Sequence, residues 1–216
     1  MFVINLKKER KVKMFQEFKY EVELTFTEEI LGTQPNNKEI YGDYIASKAP
    51  DATTIEDEIA AVGVTEVEEK GMTVFPRDDD GKPFIYDYQI RGFFKDACSA
   101  LQRCKKSKNL SSNLKAYKKV IDGDIFVEPK KIKFEAADDS TGNCQRPLRA
   151  STLQGDRVAL ASSESVSAGT KIRFTIVLLD EGLFPLIEEW LDYGRYKGLG
   201  QWRNSGKGKF TYRFTD

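Results

Sequence analysis

The residues best suited to do chemistry lie close together near the C-terminus. Positions 193–210, which we call the Gly-rich segment, hold five glycines, five cations and no carboxylate. Glycines let a backbone approach a ligand closely and present N–H groups to it. Cations attract phosphates, and aromatic rings stack on unpaired bases. The composition therefore predicts nucleic-acid contacts at Arg195, Tyr196, Lys197, Gly198, Gly200, Trp202, Arg203, Gly206, Lys207, Gly208 and Lys209.

The Gly-rich segment has a second interpretation, as a solvated hairpin that leads into a final strand. Trp202 distinguishes the two interpretations, because its indole either stacks on a base or packs in the core beneath the segment. Tyr193 and Tyr196 offer further rings for stacking. The sequence alone leaves both interpretations open.

Predicted elements on either side position this segment. Apolar residues at helical spacing from Leu183 to Leu191 predict a helix just before it. Alternation at Phe210, Tyr212 and Phe214 predicts a closing strand just after it.

Another helix is predicted over about 88–104, with Asp87 as its N-cap. Cys98 falls on the apolar side of this helix and is expected in the core. Arg91 and Lys95 lie near the helix start and off its apolar stripe, where backbone N–H groups also favour anions. Both are therefore candidate nucleic-acid contacts.

The remaining elements complete an α+β pattern. Alternation over 18–26 predicts a first strand, the apolar run 172–179 predicts a central strand, and the polar stretch 136–155 predicts a loop or hairpin. Shorter helices are predicted over 38–48, 54–62 and 111–119, and shorter strands over 125–127, 132–134 and 158–160. This order predicts a ferredoxin-like, RRM-type βαββαβ core with a large insertion at about 36–80 after the first strand. One face of its sheet is then free for a ligand.

Length and composition fit a globular chain. The 216 residues, 40% hydrophobic and 31% charged, predict a basic N-terminal arm over 1–16 and one domain over 17–216, with Met14 as an alternative start. No apolar run is long enough to span a bilayer or form a signal peptide. We expect a cytoplasmic protein with no membrane partner.

Several chemistries are excluded by what the sequence lacks. The chain has no histidine, which excludes hydrolases with a histidine base and histidine-ligated zinc enzymes. Its three cysteines lack Cys-x-x-Cys spacing and fit a reducing compartment. The acidic run Asp78–Asp80 is not an EF-hand, since Gln89 stands where that loop needs glutamate, and it predicts a turn. We expect no catalytic residues, metal or cofactor.

The charges are segregated along a chain whose net charge is zero. Residues 51–80 are mainly acidic, whereas residues 103–133 are mainly basic. Such runs are typical of solvated faces, but they also suit head-to-tail self-association of an acidic against a basic surface.

Four motifs together resemble the RAMP superfamily, RRM-derived proteins that include the RNA-binding backbone subunits of CRISPR effector complexes. The motifs follow the family's order over roughly residues 17–214. They are a hydrophobic-Gly turn at Ile30–Thr33, a proline, strand and helix start at Pro83–Lys95, a turn into a central strand at Val166–Phe174, and the Gly-rich loop at Gly198–Phe210. One departure is that Asp87-Tyr88-Gln89 stands where the family has Gly-Ser-Ser. The chain is also similar to small RAMP-like proteins of bacterial phages and prophages.

The resemblance implies a non-catalytic protein that binds single-stranded nucleic acid largely without regard to sequence. RNA is favoured over single-stranded DNA. The implied partners are the strand itself, further copies of the chain assembled head to tail, or other RAMP-type subunits. Two alternatives stay open: a metal-independent endoribonuclease that uses Lys207 or Tyr196, and a phage interaction or scaffold protein.

Overall fold

Over the residues that the structure describes, the fold is an α+β arrangement of two sheets and three α-helices. The computed structural model describes residues 16–36, 72–135, 141–152 and 155–215. Its strands are β1 (Phe18–Phe26), β2 (Ile30–Leu31), β3 (Gln34–Pro35), β4 (Thr73–Val74), β5 (Phe84–Tyr86), β6 (Ile125–Glu128), β7 (Lys131–Glu135), β8 (Gly142–Thr152), β9 (Gly155–Val166), β10 (Lys171–Leu178) and β11 (Phe210–Thr215). Its α-helices are α1 (Asp87–Gln102), α2 (Tyr117–Asp124) and α3 (Phe184–Lys197). The predicted helices at 38–48 and 54–62, most of the insertion and nearly all of the N-terminal arm lie outside these residues.

The larger sheet has the strand order β11-β1-β10, with β6 and β7 both paired to the far side of β10 and β5 paired to β7. Every pairing in it is antiparallel. The first predicted strand is confirmed as β1 and the apolar run as the central strand β10. The alternation of β1 explains its two faces, because Val22, Leu24 and Phe26 are buried in the core while Glu21 is exposed on the other side.

The helices α1 and α3 share one hydrophobic core with the sheet. Phe94 of α1 packs against Trp190 of α3, with ring centroids 5.6 Å apart. The Trp190 indole N–H, which is fully buried, donates a 2.9 Å hydrogen bond to Ser111 Oγ and is thereby satisfied. Cys98 is buried in this core as expected. The core fixes α1 and α3 side by side, and with them the chain that follows α3.

The predicted helix over 111–119 is wrong in its bounds. Residues Ser111–Asn113 form a single 3₁₀ turn, and the helix begins only at Tyr117, after Ala116 in a left-handed conformation. The break lies at the extended Leu114 and the left-handed Ala116. The Glu189 carboxylate of α3 accepts from Leu110 N and from both the N–H and hydroxyl of Ser111, and so ties the 3₁₀ turn to α3.

A second sheet was not predicted. Its order is β2-β9-β4-β3, and β8 forms a long antiparallel hairpin with β9. The polar stretch 136–155 was predicted as a loop or hairpin, and it supplies β8, the first strand of this hairpin. The last part of the predicted insertion also belongs to this sheet, as β4. The Asp78–Pro83 turn predicted from sequence is present, with Asp78 Oδ1 accepting from the backbone N–H groups of Asp80 and Lys82.

The class α+β is confirmed for the part of the chain that the structure describes. None of the helices in that part is both long and apolar enough to cross a membrane.

Candidate nucleic-acid interface

The Gly-rich segment begins as the last turn of α3 and then closes tightly on itself before β11. Leu199 N–H donates to Gly208 O at 2.9 Å, and Gly208 N–H donates to Glu29 O at 2.8 Å. Gly208 has a φ of +68°, and a Cβ there would lie 1.9 Å from Leu199 O. Gly200 has a φ of +79°, and a Cβ there would lie 2.7 Å from Leu31 O. Only glycine fits either position, because a side chain would meet backbone that cannot move aside.

The predicted glycine N–H groups are largely used within the protein. Gly198 N–H donates to Gly194 O at 3.1 Å and Gly206 N–H donates to Arg203 O at 3.0 Å, in addition to the Gly208 bond. The expectation of free N–H groups is therefore wrong at Gly198, Gly206 and Gly208. The physical reason is that a tight turn satisfies its donors through its own carbonyls and, at Gly208, through the neighbouring carbonyl of Glu29. These glycines shape the segment, and its side chains are left to contact a ligand.

The Gly-rich segment lies directly against α1. Arg203 Nη1 is 2.7 Å from Asp96 Oδ2, and the Phe93 and Phe210 ring centroids are 5.2 Å apart. The two elements meet because Phe210 starts β11 beneath α1, and Arg203 reaches back across the loop. Loop and helix thus form one continuous surface.

Two of the predicted cations hold this surface together. Arg203 pairs with Asp96, as above, and Lys207 Nζ donates to the Glu29 carboxylate. The hydrogen bond from Lys207 lowers the pKa of Glu29, and the same bond raises the pKa of Lys207. Lys207 is therefore protonated at neutral pH. Both cations act mainly as anchors of the Gly-rich segment.

The other cations of the segment are more available to a ligand. Lys197 Nζ contacts only a neutral group, Asn204 Oδ1 at 3.2 Å, and Lys209 Nζ has no side-chain partner among the described residues. Arg195 is exposed and pairs with Asp192 at 2.8 Å. An exposed pair of this kind contributes little and exchanges readily for a phosphate. Lys197 and Lys209 are therefore the strongest phosphate-binding candidates.

The two candidate contacts on α1 are directed elsewhere. Arg91 Nη2 pairs with Asp87 at 3.2 Å, and Lys95 Nζ pairs with Asp122 of α2 at 2.5 Å. Lys95 thus faces α2, whereas the neighbouring Asp96 faces the Gly-rich segment. The structure does not bring Arg91 and Lys95 together with the cations of that segment.

The aromatic candidates differ in their surroundings. Tyr196 is 68% exposed, with the Arg195 guanidinium 5.7 Å from its ring centroid. Trp202 is half-buried, stands outside the main core cluster and has a left-handed φ of 53°. The guanidinium of Arg146 lies 4.8 Å from its ring centroid and occupies that side of the indole. Tyr196 is therefore the better platform for a base.

Arg146 also contributes to this surface, although the sequence analysis did not predict it as a site residue. It lies on β8, is 9% exposed, and donates from Nη2 to Gln201 Oε1 at 3.3 Å. Its sequence context is a polar stretch predicted as a loop or hairpin, which gives no signal for a buried cation. Arg146 joins the β8–β9 hairpin to the Gly-rich segment.

The basic segment 103–133 does not form one patch. Lys105 and Lys106 follow the C-terminal end of α1, whereas Lys130 O accepts from Asp87 N–H at the start of α1. The two ends of this 16-residue helix are about 24 Å apart at 1.5 Å per residue. Only the Lys130 end lies near the start of α1.

On β1, β10 and β11, the open face of the larger sheet carries an ion-pair network in place of stacking aromatics. Glu23 is 1% exposed and pairs with Lys171, Arg173 and Arg213 at 3.0, 2.7 and 2.9 Å. Hydrogen bonds from Arg213, Lys171 and Arg173 lower the pKa of Glu23 to about 2. The outward positions of β1, β10 and β11 hold charged residues, threonines and one valine. This face offers no base platform of the RRM type on those strands.

Comparisons with known proteins identify the fold. No protein-family model and no curated protein matches the sequence. The structure is similar to a chain of the Type III-B Cmr-beta complex bound to cognate target RNA, with a TM-score of 0.57 and 13% identity over 92% of this chain and 60% of that one. It is also similar to Cmr6 from Pyrococcus furiosus, with a TM-score of 0.50 and 10% identity over 93% of this chain and 100% of that one. The chain thus spans 60% of the length of the first of these, less than two thirds. At these identities the similarities show a fold shared with the two chains.

Proposed function

We propose that the protein binds single-stranded nucleic acid, with RNA as the favoured class, across the surface made by the Gly-rich segment and α1. One observation carries this proposal. The segment is anchored to α1 by Arg203 and to the turn after β1 by Lys207, and it leaves Lys197, Lys209 and Tyr196 without a carboxylate partner among the described residues. Cations and an exposed ring on a rigid loop are what a strand's phosphates and bases require.

The mode of binding follows from the groups available. Lys197 and Lys209 read phosphates, which carry no sequence information, and Tyr196 stacks on any base. Binding is therefore largely independent of sequence and weakens with salt. The protein acts as a binding subunit with no catalytic step, assembling head to tail along the strand or with other RAMP-type subunits.

The similar structures support this proposal through their fold and their context. One belongs to a complex whose name records bound target RNA. The element order β1, α1, β6, β10, α3, β11, with the strand order β11-β1-β10-β6, supports a ferredoxin-like βαββαβ core elaborated by the second sheet. A phage or prophage origin stays a prediction that genomic context would test.

The endoribonuclease alternative is less favoured. Lys207 was one of its candidate groups, but its hydrogen bond to Glu29 raises its pKa and keeps it protonated. A protonated lysine cannot accept the proton of an attacking hydroxyl. We therefore expect labelled RNA to stay intact during prolonged incubation with the protein.

The proposal is tested by the double variant Lys197→Gln/Lys209→Gln. Losing two phosphate contacts is expected to weaken binding of single-stranded RNA by roughly tenfold at moderate salt. The slope of log K against log salt should become less negative by about 1.4, since each contact with a single strand contributes about 0.7. Fluorescence anisotropy of a labelled oligonucleotide at several salt concentrations measures both quantities.

A matched control is Lys105→Gln/Lys106→Gln, which removes the same charge at the far end of α1. This control is expected to bind like the wild type, apart from a small general effect of net charge. Equal losses in the two variants would show non-specific attraction and contradict a site at the Gly-rich segment. If the wild-type protein has no affinity for single-stranded nucleic acid even at low salt, the proposed function is wrong.

A further inference from the structure

A groove beside the start of α1 adjoins the proposed interface. It has a volume of about 430 Å³, and its lining includes Thr33, Gln34, Pro76, Tyr86, Tyr88 and Gln89. Ligand pockets for small organic groups have volumes of about 300–1,000 Å³. A nucleobase with its sugar therefore fits this space.

Two tyrosine rings form one wall of the groove. The rings of Tyr86 and Tyr88 are stacked with centroids 5.2 Å apart and an interplanar angle of 17°. Tyr88 is 56% exposed, whereas the ring of Tyr86 packs edge-on against the buried Phe84. Packing on Phe84 holds the inner ring, and the outer ring stands over the groove. A preformed aromatic stack of this kind is suited to a further planar ring.

The polar side of the groove is also fixed in place. Gln89 Oε1 accepts from Tyr86 N–H at 3.0 Å, and Gln89 Nε2 donates to Thr33 Oγ1 at 3.0 Å. These two bonds hold the Gln89 amide across the first turn of α1. The Thr33 hydroxyl accepts from Gln89 and keeps its own proton for donation to the edge of a base.

The groove lies near the Gly-rich segment. Thr33 and Gln89 line both the groove and a small cavity whose other walls include Leu199 and Gly200. Lys131 pairs in register with Tyr86 and is exposed. A strand bound at the Gly-rich segment therefore has the groove within reach, with a cation beside it.

We infer that this groove binds an unstacked nucleobase of the bound strand, held against the ring of Tyr88. The inference rests on the proposed function and adds to it a place where a base, not a phosphate, is bound. Because Tyr88 stacks on any base, the groove contributes affinity with little sequence preference.

The test compares a short oligouridylate with an abasic strand of the same length, which keeps the phosphates and lacks the bases. Tyr88→Ala is expected to weaken oligouridylate binding about tenfold and to leave binding of the abasic strand unchanged. Tyr88→Phe keeps the stacking ring and should bind both strands like the wild type. Because Tyr88 is largely exposed, neither substitution removes core packing.

The outcomes separate this inference from the function on which it rests. Equal loss for both strands with Tyr88→Ala, or no loss at all, overturns the base-binding groove while the proposed function stands. If the wild-type protein binds neither strand, the proposed function is overturned and the groove with it. The Lys197→Gln/Lys209→Gln variant should weaken both strands alike, the opposite pattern from Tyr88→Ala.

Discussion

The Gly208→Ala variant is expected to lose most of its affinity for single strands and about 2–5 kcal/mol of unfolding free energy. A Cβ at this position would lie 1.9 Å from Leu199 O, and the φ of +68° is strained for any residue with a side chain. The clash is with backbone, so no rotamer change relieves it. The Leu199–Gly208 and Gly208–Glu29 hydrogen bonds would break, and the segment would leave the position that holds Lys197 and Lys209 toward the strand.

Chemical unfolding followed by circular dichroism measures the stability, and anisotropy measures the affinity. Gly123→Ala is the matched control, because a Cβ at Gly123 of α2 meets nothing within 4 Å. It is expected to leave affinity unchanged and stability equal or slightly higher, since alanine favours helix over glycine. If Gly208→Ala had the same stability and affinity as Gly123→Ala, the claim that the Gly-rich segment must close tightly at Gly208 would be contradicted.

The Glu23→Gln variant is expected to unfold at a clearly lower temperature at neutral pH. Glu23 is buried and accepts from Lys171, Arg173 and Arg213. Its removal leaves three neighbouring cations on β10 and β11 without their shared carboxylate, and their repulsion opposes folding. The unfolding midpoint is expected to fall by several degrees.

The pH dependence of this effect has a defined direction. The folded-state pKa of Glu23 is lowered from 4.5 to about 2, so its stabilisation is complete above pH 4.5 and is lost as pH falls toward 2. The difference in unfolding midpoint between wild type and Glu23→Gln should therefore shrink across that window. Thermal unfolding at several pH values measures it. Glu21→Gln, an exposed position on the same strand face, is the control and should track the wild type throughout.

The sequence predicted the parts of the fold that local patterns control. The alternation in β1, the helical stripe of α1 and the apolar run of β10 each satisfy a period that follows from one element's own geometry. The second sheet could not be predicted in the same way, because β8 is polar and only residues 158–160 of β9 were predicted as a strand. The sheet also needs β2 and β4, which pair with β9 from distant parts of the chain.

The sequence predicted which residues make up the candidate site better than it predicted what each of them does. The Gly-rich segment was identified from its residue types, but sequence could not show that its glycines bond internally or that Arg203 and Lys207 serve as anchors. Those roles depend on Asp96 and Glu29, whose proximity only the fold creates. Tyr88 was not predicted as a contact. Two tyrosines, Tyr86 and Tyr88, at the start of a predicted helix could have indicated it.

The most direct test of the central claim is to map where a strand lies on the protein. Single-stranded RNA containing a photoreactive uridine is crosslinked to the wild-type protein, and the crosslinked peptides are identified by mass spectrometry. We predict crosslinks within the Gly-rich segment, at Tyr196 above all, and at Tyr88. Crosslinks confined to the open sheet face around Arg173, or to the Lys105 end of α1, would contradict the account.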